Sequence, residues 1–213
     1  MKIAIIGATG MAGSALYKES IVRGHDVTAI VRDKEKAISI LGSGVKVIDK
    51  DIFELAKTDL EVFDVIINAF ATVPAKAYLH LDLAAKLIGF FRETTSPRLF
   101  FILGAASLLD ENGKLFLDTL KTAPNAASWI SIPTEAYKTL NFLNSIENVN
   151  WVGVSPSASF IAGEATVPLL GKDHLLTSQN GESVVTSGTM AVAILDEIEK
   201  PQFIRTRFTV CNK

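Results

Sequence analysis

Short apolar runs alternate along the chain with segments in which apolar residues recur every three or four positions. The runs are Ile3–Ile6, Asp26–Val31, Val45–Ile48, Val62–Phe70, Arg98–Leu103 and Asn150–Val154. Runs that are apolar at nearly every position are typical of strands buried on both faces, and the segments between them have the spacing of amphipathic helices. This alternation predicts an α/β fold, a doubly wound parallel sheet whose ligands bind at the carboxyl ends of the strands.

The helical spacing predicts helices at about 12–23, 34–41, 53–57, 74–93, 133–146 and 189–199. Residues 109–132 are predicted to be irregular. Residues from about 155 to 187 are expected to form a lid on the substrate side, with a hairpin-type turn at Asn180-Gly181. Arg207–Val210 is predicted as the last strand. We expect residues 1–213 to form a single domain, because no linker, repeat or low-complexity tract interrupts them.

Three glycines, Gly7, Gly10 and Gly13, follow the first strand at three-residue spacing and lead into the first helix. In such a unit the first glycine permits a tight turn, the second lets the backbone approach a pyrophosphate, and the third lets the helix pack against the strand. The first gap is one residue longer than in the G-x-G-x-x-G dinucleotide fingerprint. Because both the strand and the helix are present, the motif predicts a nucleotide-binding site.

The end of the second strand predicts which nucleotide binds. Arg32 follows this strand directly, and Lys34 adds a positive charge. An acidic residue here would bond the free 2′-hydroxyl of NAD, whereas an arginine accommodates the 2′-phosphate of NADP, so Arg32 favours NADP(H). Asp33 either opposes this preference or caps the next helix. A solvated charged turn is the alternative interpretation of the whole segment.

The ends of the third, fourth and fifth strands extend the predicted groove. Asp51 and Ile52 follow the third strand, where they either face the adenine edge or, in the case of Asp51, only cap the helix predicted at 53–57. Ala69 and Phe70 close the fourth strand beside the nicotinamide ribose, although Phe70 also suits the core. Ser107 follows the fifth strand and is therefore expected on the same rim.

Composition excludes several classes of function. With a net charge of −2 and dispersed Lys and Arg, no nucleic-acid partner is expected. No apolar run reaches the roughly 18–20 residues that span a bilayer, and we expect no secretory leader, because Lys2 leads directly into the first strand. The single Cys211 excludes an internal disulfide, and His25, His80 and His174 lack ligand-like spacing, so no metal site is expected. We expect a cytoplasmic monomer or homodimer.

Several motifs resemble those of the atypical short-chain dehydrogenase/reductase proteins of the NAD(P)H-binding, NmrA-like type, in particular the group described as NADH-flavin reductases. More distantly, the chain is similar to flavin/biliverdin-IXβ reductases. The motifs, which span the chain, are GATGMAG (7–13), VRD (31–33), LGAASL (103–108), SPSASF (155–160), GKDHLL (171–176), DEIEKP (196–201) and RFTV (207–210).

The resemblance implies an NAD(P)-binding Rossmann fold and an NADP(H) site. The implied contacts are Gly7, Thr9, Gly10, Met11, Gly13, Arg32, Asp51, Ile52, Ala69, Phe70, Leu103 and Gly104. Typical short-chain dehydrogenases also use a serine after the fifth strand and a Tyr-x-x-x-Lys pair. Here Ser107 and Tyr137 are the candidate catalytic residues, but Asn141 stands where the lysine would be.

The absence of a lysine four residues after Tyr137 distinguishes carbonyl reduction from flavin or quinone reduction. Carbonyl reduction needs a proton donor with a lowered pKa, which Tyr137 alone does not supply. A flavin or quinone accepts hydride onto a delocalised system, so positioning can suffice. The sequence therefore favours hydride transfer from NADPH to a planar flavin-like or quinone-like acceptor. An NADP(H)-sensing regulator without turnover, or a reductase or epimerase of a small carbonyl compound, stays open.

Overall fold

An eight-stranded sheet forms the middle layer of the protein in the computed structural model, which describes residues 1–213. The strands are β1 (Lys2–Ile6), β2 (Asp26–Val31), β3 (Lys46–Asp49), β4 (Val65–Asn68), β5 (Thr94–Ile102), β6 (Val149–Pro156), β7 (Ser159–Ile161), β8 (Pro168–Gly171), β9 (Val184–Thr186) and β10 (Thr206–Asn212). The helices are α1 (Met11–Val22), α2 (Lys34–Leu41), α3 (Lys57–Leu60), α4 (Leu79–Phe90), α5 (Phe116–Lys121), α6 (Ser131–Asn144) and α7 (Ser187–Glu199).

The strand order is β3-β2-β1-β4-β5-β6-β10-β8, and β7 and β9 form a separate parallel pair. All neighbours in the large sheet are parallel except β8, which runs antiparallel to β10. The order reverses at β1, where the chain crosses from β3 to β4. In doubly wound folds, ligands bind outside the carboxyl ends of the strands at this switch point. The predicted α/β fold is confirmed.

Helices cover both faces of the sheet and bury its apolar side chains. On one face, Leu16 of α1 and Ile194 of α7 belong to a cluster with Ile5 and Phe100. On the other face, Leu83 of α4 and Leu140 of α6 pack in a second cluster with alternate strand residues. The near-continuous apolar character of the central strands follows from burial on both sides.

A set of ion pairs joins the carboxyl end of α1 to α7. Arg23, just past α1, donates from Nε to Glu19 Oε1 at 2.7 Å. Its second nitrogen donates to Asp196 Oδ1 at 2.7 Å and to Glu199 Oε2 at 3.0 Å, both on α7. The first helix is therefore attached, beyond its apolar contacts, to the last helix of the chain.

Two predicted helices differ from the structure. The prediction of a helix at 53–57 is wrong, because residues 52–54 form a turn and α3 begins only at Lys57. Asp51 Oδ1 accepts the N–H of Phe53 at 2.8 Å, and this local bond favours a turn over a helix. The predicted helix at 74–93 is divided into a 3₁₀ turn at Pro74–Lys76 and α4, which begins at Leu79.

Two predictions in the second half of the chain are also corrected. The segment at 109–132 is not wholly irregular, because it contains α5 and a 3₁₀ turn at Ala126–Ser128. Gly181 does adopt a positive φ of 78°, as a turn glycine does. However, the flanking strands do not pair with each other, because β8 pairs with β10 and β9 pairs with β7, so this turn does not close a hairpin.

Candidate functional site

Two of the three motif glycines are required by backbone packing. Gly7 has a φ of +75°, and a Cβ placed on it would lie 2.6 Å from the carbonyl oxygen of Ala69. A Cβ on Gly13 would lie 2.2 Å from the carbonyl oxygen of Gly7. Gly7 therefore permits the tight turn after β1. Gly13 permits α1 to pack closely against that turn.

Replacing Gly13 with alanine is expected to destabilise the protein by about 1–3 kcal/mol, the usual cost of forcing extra volume into a packed site. The added methyl group would meet main-chain atoms, which cannot rotate away as a side chain does. Chemical denaturation measures the change. Gly44→Ala is the matched control, since no atom lies within 4 Å of its added Cβ. Equal stabilities of the two variants would contradict the packing role of Gly13.

The amino end of α1 is free of side-chain caps. Its N-cap is Gly10, which provides no capping bond, and no acidic residue occupies the first turn. By contrast, α2 is capped by Asp33 and α7 by Thr186. The first N–H groups of a helix have no partner within the helix, and together with the helix dipole they attract anions. A phosphate at this end would satisfy them.

A groove of about 940 Å³ opens beside this helix end, at the switch point between β1 and β4. Its volume suits a small-molecule site, for which about 300–1,000 Å³ is usual. The predicted cofactor contacts that line it are Gly7, Thr9, Gly10, Arg32, Asp51, Ile52, Ala69 and Phe70. Four predicted contacts lie outside this lining, namely Met11, Gly13, Leu103 and Gly104.

Two cations face the groove at the end of β2. Arg32 and Lys36 both line it, both are exposed, and neither makes a salt bridge with a carboxylate. Asp33 lies between them, but its Oδ1 accepts the N–H of Lys36 at 2.9 Å and caps α2. The capping interpretation of Asp33 is therefore confirmed. Lys34 does not line the groove.

Aromatic side chains form the wall at the β4 end of the groove. The half-buried Phe70 ring lies edge-on to Phe53, with centroids 6.5 Å apart, and 5.2 Å from the His80 ring. Asn68 Oδ1 accepts the N–H of Phe70 at 3.1 Å and fixes the backbone there. Burial lowers the pKa of His80, and the nearby Glu135 carboxylate opposes this shift only in part. The lowered pKa favours the neutral form of the His80 ring that packs against Phe70.

The two candidate catalytic residues lie on the β5 side of this groove and do not line it. Ser107 is in a 3₁₀ turn after β5, is 8% exposed, and its Oγ accepts a hydrogen bond from Arg207 at 3.1 Å. Tyr137 is half-buried on α6. Lys138 is paired with Glu135 at 2.7 Å, so the cation next to the tyrosine in sequence is engaged elsewhere.

Sequence reasoning missed three contributors to this region. Lys36 is at the third position of α2, and the Asp33 cap could have indicated that the first turn of this helix adjoins Arg32. Phe53 reaches the groove from the turn that replaces the predicted helix. Arg207 could have been noticed as the one charged residue in a strand that also contains Phe208 and Val210, because a charged residue in a buried strand usually signals a paired group.

Comparison with known proteins identifies relatives along the whole chain. Residues 1–84 match the NmrA-like family. The chain is 34% identical over 215 residues to the uncharacterized protein YwnB of Bacillus subtilis strain 168, covering 100% of this chain and 99% of that protein. It is 40% identical to a Lactobacillus casei protein of known structure, with a TM-score of 0.93 and coverage of 100% and 99% of the two chains. A Streptococcus pneumoniae structure, named a putative NADH-flavin reductase, is 34% identical, with a TM-score of 0.89 and full coverage of both chains.

The parallel sheet, the glycine turn and the groove at the strand ends define a Rossmann protein of the NAD(P)-binding class. The chain belongs to the NmrA-like family. No helix is both long and apolar enough to cross a bilayer. No three His, Cys, Asp or Glu side chains lie close enough together to hold a metal ion.

Proposed function

We propose that this protein is an NADPH-dependent oxidoreductase that passes a hydride to a planar, flavin-like or quinone-like acceptor. The observation that carries the proposal is the groove itself. It combines an uncapped helix end and a glycine turn at its centre with two unpaired cations, Arg32 and Lys36, at one end. That arrangement matches a dinucleotide with a diphosphate in the middle and a third phosphate on its adenosine ribose.

The residues that would hold NADPH follow from their places in the groove. The N–H groups of the Gly7–Gly10 turn and of α1, beginning at Met11, bind the diphosphate. Arg32 and Lys36 bind the 2′-phosphate, Asp51 and Ile52 border the adenine, and Ala69 and Phe70 border the nicotinamide ribose. Leu103 and Gly104, at the end of β5, are expected to contact the nicotinamide. Bound there, NADPH supplies a hydride from C4 of its dihydronicotinamide, so that the acceptor gains two electrons and takes one proton from water.

The acceptor class follows from the surroundings of Tyr137. The tyrosine has no lysine four residues later, and Lys138 is held by Glu135. A localised alkoxide would need a strong proton donor, whereas the charge on a reduced flavin or quinone is delocalised. The Streptococcus pneumoniae relative named a putative NADH-flavin reductase supports the same acceptor class. The chain's task is then to align two planar rings and exclude water.

The test is anaerobic oxidation of NADPH by the purified protein with FMN, FAD or a quinone. We expect protein-dependent loss of the absorbance of reduced nicotinamide, saturable in both reactants. A protein that binds NADPH tightly but accelerates oxidation with none of these acceptors would contradict the proposal and favour a nucleotide sensor.

A further inference from the structure

A buried arginine connects three separate segments behind the rim of the groove. Arg207, on β10, is 5% exposed. One of its terminal nitrogens donates to Ser107 Oγ and to Ser155 Oγ, each at 3.1 Å. The other donates to Asp173 Oδ1 at 2.9 Å. Asp173 is largely exposed, so the charge of the guanidinium is balanced from the solvent side only.

Strand geometry places Arg207 on the same face of the sheet as α6. Arg207 is paired with Gly153 of β6 in the sheet. A Cβ added to Gly153 would lie 2.8 Å from Leu103 Cδ1 and 3.4 Å from Arg207 Cβ, so these two side chains lie on the same face. Leu103 belongs to the apolar cluster that also contains Leu140 of α6, the helix that carries Tyr137. Arg207 therefore lies on the face of the sheet that α6 covers, where it contacts Ser107.

The hydrogen bond from Arg207 determines what the Ser107 hydroxyl can do. A hydroxyl has one donor hydrogen and two acceptor lone pairs. Because Arg207 occupies a lone pair of Oγ, the hydrogen is free to donate to another group. A cation at this distance also stabilises negative charge on Oγ and so makes the hydroxyl a stronger donor.

We infer that Arg207 is a positioning residue that presents and polarises the Ser107 hydroxyl, which donates a hydrogen bond to the negatively charged atom of the acceptor as the hydride arrives. The inference rests on the proposed function for the identity of the acceptor. No proton leaves Ser107 in this step, because the proton that completes reduction comes from water. Burial lowers the pKa of Arg207 and Asp173 opposes that shift, so the Asp173 pair helps to keep the guanidinium charged.

The charge effect is measured without any turnover by a thiol placed at position 107. The thiol of the Ser107→Cys variant is titrated through the ultraviolet absorbance of its thiolate, after subtraction of the wild-type curve, which contains only the buried Cys211. Burial at position 107 raises the pKa of this thiol, and we expect the adjacent guanidinium to oppose that rise, because an adjacent cation typically lowers a pKa by about 1–3 units. Adding Arg207→Met should raise it by about one unit or more.

Two further variants make the titration specific. Arg207→Lys in the same background should keep the pKa low, since it retains the charge, and it guards against a failure of Arg207→Met to fold. Arg205→Met is the matched control: Arg205 is exposed, bonds the Glu147 carbonyl and does not contact Ser107. A thiol pKa that is the same with and without Arg207, or that shifts equally with Arg205→Met, would overturn the inference.

Kinetics then test whether the coupling serves the reaction. We expect Ser107→Ala to lower kcat by about 100-fold, as loss of one donor to a developing charge usually does. Arg207→Met should lower kcat in the Ser107 protein but change little in the Ser107→Ala background, because it acts through the hydroxyl. NADPH affinity by titration should stay within about twofold. If the losses in kcat from Ser107→Ala and Arg207→Met were additive, the inference would be contradicted. If the wild-type protein showed no turnover, the proposed function would be contradicted, and the thiol titration would then decide whether Arg207 polarises the side chain at position 107.

Discussion

Replacing both Arg32 and Lys36 with alanine is expected to weaken NADPH binding by about a hundredfold or more, since a hydrogen bond to a charged group contributes about 1.5–3 kcal/mol. NADH lacks the 2′-phosphate, so its dissociation constant should change by no more than about twofold to threefold. Calorimetric titration of both nucleotides measures the two effects. The expectation depends on the positions of the two exposed, unpaired cations at the end of the groove.

Lys34→Ala is the matched control for this pair of changes. Lys34 is an exposed cation two residues from each of them, but it does not line the groove. Its removal alters the net charge without touching the proposed phosphate site, so it should weaken both nucleotides slightly and equally. If the double variant also lost NADPH and NADH affinity in equal proportion, the assignment of Arg32 and Lys36 to the 2′-phosphate would be wrong.

The largest loss of stability is expected from Glu197→Ala, at about 3–5 kcal/mol, the usual cost of removing one partner from a buried ion pair. Glu197 on α7 is 4% exposed and pairs with Arg98 of β5, which is 8% exposed. The same carboxylate accepts the N–H groups of Gln202 and Phe203 at 2.9–3.0 Å. Without it, the Arg98 guanidinium would keep two carbonyl oxygens as acceptors but no balancing charge, and two N–H groups would lose their acceptor. Urea denaturation monitored by circular dichroism measures the change.

Asp196→Ala provides the comparison, because Asp196 is the neighbouring residue on α7 and its carboxylate, which pairs with Arg23, is 57% exposed. A pair whose carboxylate is open to solvent contributes about 0–1 kcal/mol, and Arg23 keeps Glu19 and Glu199 as partners. The double replacement of Arg98 and Glu197 by methionine should be less destabilising than Glu197→Ala alone, since no unpaired charge stays buried. A cost for Glu197→Ala no greater than that for Asp196→Ala would contradict this account.

The sequence was most informative where structure and chemistry are local. The glycine spacing and the flanking apolar runs predict the turn after β1, and the two packing distances at Gly7 and Gly13 explain why. Arg32 could be located because it directly follows a strand. The helix predicted at 53–57 was wrong because one side-chain bond from Asp51 outweighed a weak helical pattern.

What sequence could not predict depends on contacts between distant segments. Ser107 and Arg207 are separated by 100 positions, and only the parallel pairing of β10 with β6 brings them together. The groove is also lined by residues between 71 and 79, which carry no sequence motif, because the 3₁₀ turn at Pro74–Lys76 determines where this segment lies. Neither relationship leaves a periodic signal in the sequence.

The attachment of α1 to α7 limits where the chain can be truncated. The part that matches the family ends at residue 84, yet the apolar side of α1 is covered by a helix that begins at Ser187. A fragment ending after β4 would lack α7, which shares an apolar cluster with α1, and would expose one edge of its own truncated sheet. The helix that follows the glycine turn at the beginning of the chain is thus packed against residues made last, and a fragment that keeps this packing must include α7.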